Sequence, residues 1–208
     1  MVVITTFLTS CSTDDTLVSE NSKEAFKLKV ENGDNDIAIV ALNEITEEYI
    51  LRYGTSDKPV EDIAEYVLEI AKSNGRFMVL QGSENILCNK EDINMAITLP
   101  KLYVQDLNVS TEASNNIIAL LDKLDQANEE PQRLVDDFSV TVAENQNIIQ
   151  SEKDIMLMAS DLILSNNKNG LDNDWKRTSG VMAASVSGGL ESPAQAVINA
   201  VVVTAITM

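Results

Sequence analysis

Histidine is missing from this 208-residue chain, and cysteine is held to two residues. Without histidine there is no imidazole to act as general base or metal ligand, and no Ser-His or Cys-His nucleophile pair. Two cysteines cannot build a cysteine-rich zinc site. Bases are scarce as well: 15 Lys and Arg stand against 33 Asp and Glu, a formal charge of −18. Phosphate backbones and anionic lipid head groups are repelled by such a surface, which argues against a nucleic-acid partner. No cofactor or metal is expected.

What is present suffices for a folded domain. The chain is 44% hydrophobic and 23% charged, with a mean hydropathy of −0.04. Those values and the length fit one domain or a closely packed pair rather than a disordered chain. Cys88 lies in the apolar run Ile86-Leu87-Cys88, which predicts a buried core thiol rather than a nucleophile.

The other cysteine sits in a different context. Residues 1–10, MVVITTFLTS, carry no charge and read as an apolar targeting segment. Leu8-Thr9-Ser10-Cys11 places an aliphatic residue and two small ones before a cysteine, and Ser12-Thr13-Asp14-Asp15 follows as a polar, acidic stretch. This segment resembles the lipobox of bacterial lipoproteins. The resemblance implies that the Cys11 thiol is alkylated with diacylglycerol and that a signal peptidase cuts just before it. It further implies attachment to a membrane through that lipid, at the cell envelope, in the outer membrane or on the cell surface. It covers only this N-terminal segment and carries no information on the folded domain.

Beyond Cys11 the chain divides by composition. Residues 11–24 read as a flexible acidic tether, 25–177 as an acidic, mainly helical region, and 178–208 as an apolar hairpin packed on the same domain. Ala25-Phe-Lys-Leu-Lys-Val30 alternates, which suits a short strand or the last turns of a helix, and Glu31-Asn-Gly-Asp-Asn-Asp36 reads as a turn or helix stop. After Pro59, the residues Val60, Ile63, Ala64, Val67, Leu68 and Ala71 form one apolar helical stripe, with Asn74-Gly75 as its C-cap signal. Arg76–Gln81 suits a strand or a helix. Further helices are predicted over Glu112–Asn128, from Pro131 through Val142, and over Ser151–Ser165 with Ser151 as cap. The expected fold is mainly α, a multi-helix domain with an apolar C-terminal hairpin and at most a small β element in the first half.

From Thr178 onward Glu191 is the one charged residue, and all 15 bases precede it. Gly180, Ala184 and Gly188 recur every fourth residue, as do Ala196, Ala200 and Thr204 after the cap pair Ser192-Pro193. Small residues on one helix face let two backbones approach closely, and Gly188-Gly189 permits a reversal between the helices. The working expectation is a packed hairpin at the centre of the domain. A second reading is a membrane-entering hairpin, similar to those of pore-forming bacteriocins or glycine-zipper proteins. Gln195, Asn199 and a length short of the roughly 20 residues a crossing helix needs weigh against it. A third makes the β-branched run Val201–Thr207 a buried strand or self-associating segment.

Constellations that carry chemistry are weak. Ser165-Asn-Asn-Lys168 has the Ser-x-x-Lys spacing of penicillin-recognising enzymes, but it closes a predicted helix instead of opening one. An EF-hand alignment of the loop after Ser165 puts Lys176 where a bidentate acid belongs. Asp34 with Asp36, and Asp172 with Asp174, read as solvated turns. Glu47-Glu48, Glu129-Glu130 and Asp136-Asp137 are adjacent on predicted helices and diverge by about 100°. The expectation is therefore an envelope-anchored protein that binds or scaffolds an unidentified envelope partner and is not an enzyme. The alternatives are a membrane-active secreted protein that inserts its hairpin, and a carboxylate-dependent hydrolase.

Overall fold

The computed structural model of the chain describes residues 32–55, 58–126, 131–168 and 175–208. Ten helices account for most of them: α1 (Asn32–Tyr53), α2 (Val60–Ser73), α3 (Gly75–Gln81), α4 (Lys90–Thr98), α5 (Pro100–Asp106), α6 (Thr111–Gln126), α7 (Pro131–Glu144), α8 (Gln150–Lys168), α9 (Trp175–Gly189) and α10 (Pro193–Thr207). Among the described residues there is no strand. The fold is a mainly α, multi-helix domain with an apolar C-terminal hairpin.

That hairpin organises the molecule. α10 touches α1, α2, α3, α4, α8 and α9, while α9 also touches α4, α5, α6 and α8. α7 packs mainly on α6 and α8. From Ala194 to Ala205 every residue of α10 is buried. A helix covered on all sides has no polar face to display, so its sequence is apolar all round instead of periodic. Each fully buried Val or Ile there contributes about 1.5–3 kcal/mol relative to exposure. Ser192 starts the helix by accepting a hydrogen bond from Gln195 N at 3.1 Å, and Pro193 occupies the first turn, where no N–H is required.

Two buried amides inside α10 have their bonding satisfied. Gln195 Nε2 donates to Leu87 O at 2.8 Å and to Asn199 Oδ1 at 2.8 Å, and its Oε1 accepts from Leu87 N at 3.2 Å. Asn199 Nδ2 donates to Ala184 O on α9 at 3.3 Å. One amide side chain thus engages both backbone groups of Leu87. It fixes the extended segment between α3 and α4 across the N-terminal end of α10.

Several local expectations are corrected. Residues 32–36 do not form a stop; they begin α1. The helix buries Ala38, Ala41, Leu42, Ile45, Thr46 and Tyr49, a stripe at i, i+3, i+4, i+7, i+8 and i+11. Arg76–Gln81 is helical, so the small β element is not found there; Ala25–Val30 lies outside the described residues. Asn74 ends α2 and starts α3 at once: its N–H bonds to Ala71 O, while its side chain accepts from Phe77 N at 2.8 Å. Gly75 therefore opens a helix instead of terminating one, and the left-handed glycines are Gly54 (φ 66°) and Gly82 (φ 54°), just after α1 and α3. Ser151 sits inside the first turn of α8 and does not cap it. α6 is capped by Ser110, whose hydroxyl accepts from Ala113 N at 3.2 Å. Buried Glu152 holds that cap by accepting from Ser110 N at 2.6 Å and Ser110 Oγ at 2.7 Å.

Candidate functional site

The stripe on α2 is wider than the core requires. Ile63, Ala64, Val67, Ile70 and Ala71 are buried, whereas Val60 and Leu68 at its edge are only half-buried. These two open onto a groove of about 460 Å³. α2 supplies one side of it, with Glu61, Glu65 and Glu69 following one another at i, i+4 and i+8 and Lys72 at the end of the row. The segment Leu87–Lys90 supplies the other. Leu87 stands out from the surface, 67% exposed, because its backbone is held by Gln195 while its neighbour Ile86 turns into the core. A second hollow, of about 400 Å³, lies beside the same extended segment between Glu84–Ile86 and Leu190–Ser192.

Electrostatics on α2 are uneven. The Lys90 ammonium, at the start of α4, pairs with Glu61 and holds its carboxyl below the usual carboxylate range. Among the described residues Glu65 and Glu69 make no ion pair. Cys88 also lines the groove. It is half-buried and packed against the core, so the expectation of a buried core thiol is corrected to a partly covered one at the core's edge. Burial, with Asp92 adding to it, pushes its pKa up to about 11. At neutral pH about one molecule in ten thousand then carries the thiolate, which leaves Cys88 a poor nucleophile.

Cys11 lies outside the described residues. The other singled-out positions are all buried: Gly180, Ala184 and Gly188 on α9, and Ala196, Ala200 and Thr204 on α10. They are brought together only in part. A Cβ built on Gly188 would sit 2.7 Å from the backbone of Gln195 and Ala196, so α9 and α10 cross there with their main chains in contact. At Gly180 the nearest neighbours are Val203 Cγ1 at 3.1 Å and the backbone of Ala96 and Ile97 at 3.5 Å, so that glycine admits α4 as well as α10. Gly189, absent from the fourfold pattern, is as tight: a Cβ would come within 2.8 Å of Ile155 on α8. These positions form packing seams.

The weak chemical candidates are similarly placed. Ser165 is buried in α8, where its hydroxyl and the Asn43 amide of α1 exchange hydrogen bonds at 2.7 and 3.0 Å. Asp36, near the start of α1, lies close to Asp161 of α8, and Asn35 Nδ2 donates to Asp161 Oδ2 at 3.4 Å. Burial, and then the Asp36 charge, raise the Asp161 pKa above the usual carboxylate range. Among the described residues no three carboxylate or thiol groups converge on a metal-sized site. Residues 169–174, with Asp172 and Asp174, and the pair Glu129-Glu130 lie outside those described.

The groove was hidden from sequence reasoning because its two sides are far apart in the chain. The signal that could have found it is the excess width of the α2 stripe beside unbroken fourfold acids. No protein-family model matches the chain, and no curated protein and no solved structure matches it either.

Proposed function

We propose that the chain is a cell-envelope lipoprotein, anchored through a lipid on Cys11 and acting by binding or scaffolding. The observation that carries this reading is Leu8-Thr9-Ser10-Cys11, followed at once by the acidic stretch Ser12–Asp15. The folded part supports it from the other end. The most apolar of the described helices, α10, is enclosed by six others, so the domain itself offers its exterior to water and its groove to partners. No helix among the described residues is long and apolar enough to cross a membrane. Insertion of the hairpin, the rival reading, requires α10 to leave its five neighbours other than α9 and to carry the Gln195–Asn199 bonding into lipid, where each unpaired amide costs several kcal/mol.

The test is fractionation with metabolic palmitate labelling of cells that make the full chain. Wild type is expected in the membrane fraction with label, and Cys11→Ser in the soluble fraction without it. A Cys11→Ser protein that stays in the membrane fraction, with no label on wild type, overturns the reading.

A further inference from the structure

We propose that the groove beside α2 docks a cationic amphipathic helix of a partner protein. The inference rests on the reading that the domain acts by binding, and it is independent of the lipid on Cys11. Three features of the groove determine the occupant. The groove is partly apolar, with Val60, Leu68 and Leu87 presenting hydrocarbon that the core leaves uncovered. Its α2 side carries Glu65 and Glu69 one helical turn apart, neither in an ion pair among the described residues, while the one cation on that side, Lys72, stands at the end beyond Glu69. At the next position along, Glu61 shows how a cation is received, paired with Lys90 from the opposite side.

Carboxylates at i and i+4 stand about 5–6 Å apart at Cβ, which is the spacing of Lys or Arg residues one turn apart on another helix. A helix laid along α2 therefore matches both anions with two cations while its apolar face covers Leu68 and Leu87. Such burial of a few aliphatic side chains in a groove, framed by ion pairs at its rim, is the established geometry of helix recognition. A second copy of this chain fits poorly, because it would bring another molecule of charge −18 against the same acids. An anionic bilayer is repelled for the same reason.

The probe is a fluorescent 14-residue helical peptide, the length of α2, with Leu on one face and Lys on the other. Its binding to the full chain is read by anisotropy at about 0.15 M salt, where charges beyond roughly 8 Å are screened. Wild type is expected to bind it and to ignore a Leu/Glu peptide of the same pattern. Glu65→Lys with Glu69→Lys should weaken binding about tenfold or more, and Leu87→Ser several-fold. The decisive control is Asp136→Lys with Asp137→Lys on α7, which makes the same change in net charge away from α2 and should leave affinity within about twofold. Equal losses in the two double variants, or equal binding of the Leu/Glu peptide, overturn the proposal. All the substituted side chains are exposed, so helicity by circular dichroism should be unchanged. Should the reversals disturb folding, Glu65→Gln with Glu69→Gln gives the same comparison at smaller amplitude. Loss of palmitate label in the Cys11 experiment leaves this assay unaffected, so the two failures are distinguishable.

Discussion

Gly188 shows how much of this architecture depends on single atoms. The backbone of α10 occupies the space that its Cβ would need, 2.7 Å away, and backbone cannot rotate aside as a side-chain tip can. Gly188→Ala should therefore force α9 and α10 apart and cost at least about 2 kcal/mol, as overpacked cores do. That corresponds to a fall in the thermal midpoint of roughly 4–8 °C for a domain of this size. Gly75, in α3, has nothing within 4 Å of its Cβ position, so Gly75→Ala is expected to be neutral or slightly stabilising. Differential scanning calorimetry of the two variants checks both; equal midpoints would remove the close crossing from the account. Gln195 is the polar counterpart of Gly188. A glutamine in an apolar run looks like a defect when only composition is considered, but its amide bridges Leu87 and Asn199, and Asn199 in turn donates to Ala184 O of α9.

Between elements, legibility follows amphipathicity. α2, α6 and α7 each bury one stripe and expose the rest, so their periodicity and flanking Pro or Asn residues announce them. α1 has an equally regular buried stripe, but Ile37, Ile39, Val40, Ile50 and Leu51 lie off it and blur the pattern. Its first turn also contains Asn-Gly-Asp, residues that favour turns unless tertiary contacts override them. Here the override is visible: Asn35 bonds to Asp161 and Asn43 bonds to Ser165, both on α8. α4 and α5 are short, and their start signals, the Asn89 cap and Pro100 in the first turn, are weak alone. The groove was illegible for a different reason, since Gln195, far along the chain, decides where Leu87 stands.

The α1–α8 junction carries a pH-dependent cost. Asp161 has a folded pKa raised by burial and by Asp36. A raised carboxyl pKa means that the folded state holds its proton more tightly than the unfolded chain, so stability is lost as pH rises through the folded value. Asp161→Asn keeps an acceptor for Asn35 and removes the charge. It should raise the midpoint at pH 7 by on the order of 1–2 °C, with the gain disappearing below the unfolded aspartate pKa of about 4. A gain that persists unchanged into acid, or a loss at pH 7, would refute the assignment.

At the scale of the whole molecule, charge and apolarity are segregated along the chain and then nested in space. The C-terminal segment with one charge becomes the centre, and the acidic helices close around it. Small residues let the two central helices touch, so many helices can share one thin core, and a surface of one dominant sign remains outside. A lipid at the other end of the chain would then attach the molecule without drawing on the core. The claim on which everything else depends is that the hairpin is core and stays core in the presence of membrane. Native-state hydrogen exchange on the amides of Val197–Ala205, with and without liposomes, tests it most directly. The account predicts exchange only through global unfolding, with protection unchanged by lipid. Rapid exchange in solution, or a change in protection when liposomes are added, would contradict it.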